Sequence, residues 1–160
     1  MDEGLPDRSA TSFFVRTEVI MFPFLLDAES APLRWRRSFP GGPEQARAVR
    51  RFVRCLLADC PYLDDVLLAA DELVVNALRH TKSGQGGGRF AVELLHGRGG
   101  VRVAVTDQGG PGEPVCRRAD DLDESGRGLC TIALTAASWG WYGNDQGRTV
   151  AALFAGEWSA

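Results

Sequence analysis

The chain has 160 residues, a length that suits one domain with a substantial core and is too short for two such domains. Its 44% apolar and 24% charged residues are ordinary for a globular protein. The net charge of -3 supplies no overall basic surface to neutralise nucleic-acid phosphates, so we expect no direct binding to nucleic acid.

The N-terminal residues 1–32 lack clear periodicity, and we expect a loose extension with one strand near residues 13–19. The apolar run at residues 19–26 contains Pro23 and is too short to cross a bilayer, so no membrane contact is expected. The four cysteines form no C-x-x-C pair, which argues against a zinc site. With no signal-peptide pattern visible, the sequence predicts a cytoplasmic protein with reduced thiols.

The remaining sequence predicts the order strand, two helices, two strands, loop, helix, two strands. Arginines at 47, 50, 51 and 54 fall on one side of the first helix and are interpreted as a solvated face. This order favours an α+β two-layer sandwich, with helices on one face of a mixed, mostly antiparallel sheet, in a domain over residues 33–158. The predicted elements are strand 33–39, helices 43–58 and 64–81, strands 89–95 and 101–106, loop 107–127, helix 128–138, and strands 139–142 and 149–154.

The second predicted helix is apolar almost all round between Val66 and Leu78, yet it carries Glu72, Asn76 and His80 at successive steps of four. Steps of four place the three side chains in one row. The row faces either solvent, as the wet side of an amphipathic helix, or a ligand. For a ligand, the amide oxygen suits a hard cation such as magnesium, and the carboxylate suits a proton or an attacking hydroxyl.

Two glycine-rich segments follow. Asp107 ends a predicted strand and precedes Gln108-Gly109-Gly110-Pro111-Gly112, where a carboxylate can accept a hydrogen bond from an adenine amino group and glycines allow close backbone approach. Ser125-Gly126-Arg127-Gly128-Leu129 opens a predicted helix, whose free N–H groups can cradle a phosphate. Taken singly, each segment also fits an ordinary turn or helix start. The Walker and eukaryotic protein-kinase motifs are both absent from the sequence.

The three segments together resemble the N box and the two glycine boxes of the GHKL superfamily, the histidine kinase-like ATPases. This superfamily includes DNA gyrase, the heat-shock chaperone ATPases, histidine kinases and mismatch-repair ATPases. The N box is similar to Glu72 through His80, the first glycine box to Asp107-Gln108-Gly109, and the second to Gly126-Arg127-Gly128-Leu129. The small size and the histidine that ends the N box are most similar to the bacterial anti-sigma-factor serine/threonine kinases. The resemblance implies a Bergerat-type ATP-binding fold.

The resemblance also implies roles for individual residues. Glu72 would be the catalytic base or would orient the attacking hydroxyl, Asn76 would bind Mg²⁺, and Asp107 would recognise adenine. Pro111 stands where the family usually has a second glycine, between Gly110 and Gly112. The full set implied to contact ATP and its magnesium is Asn76, His80, Asp107, Gly109, Gly110, Gly126, Arg127, Gly128 and Leu129.

The function implied is phosphorylation of a serine or threonine on an anti-anti-sigma protein, by a kinase that uses ATP and Mg²⁺. A sigma factor is the second implied partner, and family members often form homodimers. The alternative is a non-catalytic switch, in which ATP sets the conformation that sequesters a sigma factor or another partner. A plain interaction domain with a decayed site is a third reading, which magnesium-dependent ATP binding would exclude.

Overall fold

The computed structural model describes residues 33–116 and 127–155. Their elements confirm the predicted order, with strands that run further into the hairpin turns. The predicted strand at residues 13–19, any helical turn within residues 117–126, and Gly126 lie outside the described residues. The elements are β1 (Leu33–Pro40), α1 (Gln45–Leu56), α2 (Leu63–His80), a 3-10 turn (Lys82–Gly84), β2 (Arg89–Gly97), β3 (Gly100–Asp107), α3 (Arg127–Thr135), β4 (Ser138–Asn144) and β5 (Gly147–Phe154).

The five strands form one sheet in the order β1-β2-β3-β5-β4, and every pairing among the described residues is antiparallel. Short hairpins make the β2–β3 and β4–β5 connections, where Gly100 and Gly143 adopt positive φ. The sequence expectation of a mostly antiparallel sheet is confirmed. The structure shows no parallel pair between the strands that it describes.

The three helices pack on one face of the sheet, which we call the inner face. Val92, Val103 and Val105 of the sheet meet Val66 and Leu73 of α2 in the main core. α2 is the central helix, since it contacts α1, α3, β3 and β5. Because the apolar residues of α2 are buried, the helix itself is held firmly between the sheet and its two neighbouring helices.

The arginines at 47, 50, 51 and 54 of α1 are all exposed, as expected for a solvated face. Arg50 forms an ion pair with Asp71 of α2, with 3.2 Å between Nε and Oδ1. Burial raises the pKa of Asp71, and the charge of Arg50 partly offsets that rise. No helix in the described part of the chain is long and apolar enough to cross a membrane.

The expectation of four reduced thiols is wrong for two of the cysteines. Cys116 and Cys130 form a disulfide, with Cα atoms 4.8 Å apart, whereas Cys55 and Cys60 are free. Spacing in the sequence could not reveal this pair, because Cys116 lies in the loop after β3 and Cys130 lies in α3. No group of residues that could hold a metal through three or more His, Cys, Asp or Glu side chains occurs in the described ranges.

Candidate functional site

The polar row of α2 lies along one side of the central helix. Glu72 and Asn76 are half-buried and His80 is exposed at the end of the helix. Leu73, on the adjacent face, is 1% exposed and anchors this turn of the helix in the core. None of the three polar side chains hydrogen-bonds to another residue within the described ranges, so their acceptors and donors are available to a ligand.

The first turn of α3 packs directly against this row. A Cβ atom at Gly128 would meet the Glu72 carboxylate, so a larger residue at this position would require the flexible Glu72 side chain to move. The N–H groups in the first turn of α3 have no partners within the helix, because the first four N–H groups of any α-helix lie ahead of its hydrogen-bond ladder. The structure thus brings an anion-attracting helix start beside the Glu72 carboxylate.

Asp107 ends β3 and is only 4% exposed. Its Oδ1 accepts a 2.7 Å hydrogen bond from the Gly109 N–H, whereas its Oδ2 is buried with no partner among the described residues. Burial raises the pKa of Asp107, and the Gly109 hydrogen bond and the nearby Arg148 charge act in the opposite direction. A buried acceptor without a partner is costly, so this oxygen is suited to a donor supplied by a ligand.

Arg148 of β5 holds the loop that follows Asp107. Its guanidinium donates to the carbonyl oxygens of Gly112 and, at 3.2 Å, of Gly110, and it lies 5.1 Å from the centre of the Trp141 ring. The side chain is buried, and the planar fork of an arginine suits two carbonyl acceptors at once. Arg148 therefore fixes the glycine loop on both sides of Pro111.

The same loop is attached to the end of α2. The Lys82 N–H donates to the Gly109 carbonyl oxygen at 2.8 Å, and a Cβ atom at Gly110 would collide with the His80 carbonyl oxygen. Buried Ser83 accepts a hydrogen bond from the Gln108 N–H at 2.9 Å. The three motifs, distant in sequence, thus meet in one place: Asp107 near the end of α2, and Gly128 beside Glu72 two turns earlier.

Most of the predicted site residues are brought together by these contacts. Arg127 is exposed at the first residue of α3, but Leu129 is 4% exposed and packs in the main core. Any contact of Leu129 with a ligand would therefore involve its backbone N–H. Gly126 lies outside the described residues.

Sequence reasoning missed Arg148 and Ser83. Neither belongs to a recognised motif. Their roles arise from pairing between strands and from the 3-10 turn, so spacing along the chain carries no signal for them. Only the position of Arg148 directly opposite Asp107 in the sheet explains its part in the site.

Comparison with known proteins agrees with the fold. Residues 39–153, more than half of the chain, match the family described as the histidine kinase-like ATPase domain. The chain therefore belongs to the histidine kinase-like ATPase domain family, as the motifs predicted. None of the curated proteins matches the sequence.

Among solved structures, the chain is similar to the RsbU and RsbW domains of Rv1364c from Mycobacterium tuberculosis. The TM-score is 0.57 at 23% identity, and the match covers 78% of this chain and 33% of that one. This chain thus corresponds to about one third of that longer protein. At this level of identity the likeness establishes the fold.

The residues present fit a magnesium–ATP complex. The unpartnered Asp107 Oδ2 and the glycines after it suit the adenine end, and the first turn of α3 suits the phosphates. Asn76 offers one hard oxygen, and no three-carboxylate cage surrounds it in the described part. One protein oxygen suits Mg²⁺ in a nucleotide complex, because this ion is commonly held by one or two protein oxygens together with phosphates and water.

Proposed function

We propose that this protein binds ATP with Mg²⁺ between α2, the loop after β3 and the start of α3. The observation that carries the proposal is the buried Oδ2 of Asp107, an acceptor with no described protein partner. In this proposal Asp107 accepts a hydrogen bond from the adenine amino group, and Asn76 supplies an oxygen to the cation. Backbone N–H groups at Gly128 and Leu129, with His80 and Arg127, face the phosphates.

We further propose that the protein is a cytoplasmic serine/threonine kinase of the anti-sigma-factor type. Bound ATP would supply the phosphoryl group, and Glu72 would orient a partner's serine or threonine hydroxyl and accept its proton. Support comes from the free Glu72 carboxylate one helical turn from Asn76 and against Gly128. The motif resemblance favours an anti-anti-sigma protein as substrate and a sigma factor as a second partner.

Glu72→Gln tests the catalytic role, since it keeps the size of the side chain and removes its basicity. We expect unchanged ATP affinity and a loss of about 10²–10⁴-fold in transfer of labelled phosphate to a panel of anti-anti-sigma proteins. Glu44→Gln, at an exposed position beside α1, is the matched control. Transfer by Glu72→Gln at the wild-type rate would contradict the role of Glu72.

The alternative function is a switch without phosphotransfer, and the clamp by Arg148 favours it. Two hydrogen bonds hold the carbonyl groups on both sides of Pro111, which restricts the start of the loop that would have to close. A nucleotide can act as a switch only if it binds two conformations with different affinity. The alternative predicts ATP-dependent affinity for a sigma factor with no phosphate transfer, and an affinity independent of nucleotide would exclude it.

A further inference from the structure

The disulfide between Cys116 and Cys130 joins the two parts of the proposed nucleotide site. Cys116 lies in the loop that follows Asp107, and Cys130 is the fourth residue of α3. Cys130 therefore belongs to the helical turn whose free N–H groups face the phosphates in the proposed function. The bond thus links the adenine end of the site covalently to its phosphate end.

Few polar contacts hold the end of this loop in the described part of the structure. Arg148 binds the carbonyl oxygens of Gly110 and Gly112. Residues 113–116 form no hydrogen bond or ion pair with another described residue. Without the disulfide, the described polar contacts would therefore fix the loop only as far as Gly112.

We propose that Cys116 and Cys130 form a redox switch, in which the disulfide form of the protein binds ATP more tightly than the dithiol form. This inference rests on the proposed binding of ATP. In the disulfide form, the end of the loop is already held beside α3, with 4.8 Å between the two Cα atoms. In the dithiol form, the end of the loop has to be ordered as ATP binds. That loss of conformational freedom weakens binding.

A dithiol reductant converts the disulfide form to the dithiol form by thiol–disulfide exchange. Its thiolate attacks one sulfur of the pair, forms a mixed disulfide and releases the other cysteine as a thiolate. The second thiol of the reductant then displaces the remaining cysteine. The protein gains two electrons and two protons, and the reductant leaves as a disulfide. Disulfides of cytoplasmic proteins, the location proposed above, are usually redox-sensing or catalytic.

Calorimetric titration of Mg²⁺–ATP into the oxidised and the reduced full chain tests the switch. In a Cys55→Ser background, which removes the exposed free thiol, we expect reduction to weaken ATP binding about tenfold, an ordinary size for coupling between two sites. Cys116→Ser combined with Cys130→Ser should bind with the reduced affinity under both conditions. Circular dichroism at the titration temperature checks that each form is folded.

The outcomes separate the switch from the site on which it rests. Equal ATP affinity of the folded oxidised and reduced forms, or tighter binding by the reduced form, would overturn the switch and leave the proposed ATP site intact. Absence of ATP binding in both forms would overturn the proposed function and the switch with it.

The same coupling must appear in the reverse direction, because linkage between two equilibria is reciprocal. In a dithiol redox buffer, saturating Mg²⁺–ATP should make the disulfide about tenfold harder to reduce, which equals about 30 mV for two electrons. Alkylation followed by mass spectrometry counts the free thiols. Asn76→Ala, which loses the proposed magnesium ligand, should show a smaller shift at the same ATP concentration. A reduction midpoint that ATP leaves unchanged or shifts the other way would overturn the proposal.

Discussion

The burial of the Asp107 carboxyl costs free energy, and the same side chain has the main recognition role proposed for the site. The free energy of unfolding should reflect that cost. Because the pKa of Asp107 is raised in the folded state above its ordinary 3.8, the folded protein holds the proton more tightly than the unfolded chain. Stability from this group is therefore present at low pH and is lost as the pH rises through the folded pKa.

Asp107→Asn removes the titrating group and keeps an acceptor for the Gly109 N–H. We expect this variant to be more stable than wild type at pH 7, with the difference shrinking as the pH falls through the raised folded-state pKa of Asp107 towards 3.8. Urea unfolding of both proteins between pH 3 and pH 7 measures it. A variant that is less stable at pH 7, or a difference independent of pH, would refute the assigned cause.

Arg148 is a positioning residue for the glycine loop, and its guanidinium has a geometry that lysine cannot reproduce. We expect Arg148→Lys to weaken ATP binding about tenfold, since one of two hydrogen bonds from a charged donor to the loop is lost. Calorimetry measures the affinity, with exposed Arg51→Lys as the control. An unchanged ATP affinity would mean that the loop holds its shape without both hydrogen bonds from the Arg148 guanidinium.

At the scale of elements, the start of the loop after β3 has no spare room against the end of α2. A Cβ at Gly110 would meet the His80 backbone, whereas a Cβ at Gly112 meets nothing within 4 Å. We expect Gly110→Ala to lower the free energy of unfolding by about 1–3 kcal/mol and Gly112→Ala to change it by under about 0.5 kcal/mol. Chemical unfolding of the pair checks this contrast. Equal effects would show that the loop is not packed as described.

Most elements could be predicted from the sequence because their signals are local. Alternation identified β1, and the apolar run identified α2 together with its polar row. The ends were less certain, and α3 stops at Thr135 where the pattern suggested 138. The sequence could not predict contacts between distant segments, such as Arg148 opposite Asp107 and the disulfide partner of Cys116. It also could not predict that Arg102, on the sheet face opposite the helices, is buried.

At the scale of the whole molecule, the disulfide closes a loop around the second glycine segment. A loop of this length, with a sequence separation of 14 between the two cysteines, is worth about 3 kcal/mol in the chain-entropy account. We therefore expect a reductant to lower the free energy of unfolding by about that amount. A thiol titration of the unfolded chain should find two free thiols without reductant. Four free thiols, or equal stability in both conditions, would contradict the pairing.

Family membership, the polar row of α2 and the unpartnered Asp107 oxygen all point to nucleotide binding, which is the central claim. Calorimetric titration of ATP into the full chain, with and without Mg²⁺, tests it most directly, with Asp107→Asn and Asn76→Ala as variants. The account predicts magnesium-dependent binding by wild type and a loss of about 10- to 100-fold in each variant, the usual cost of one hydrogen bond or ligand to a charged group. Absence of heat with wild type, or equal affinity in folded Asp107→Asn, would contradict it.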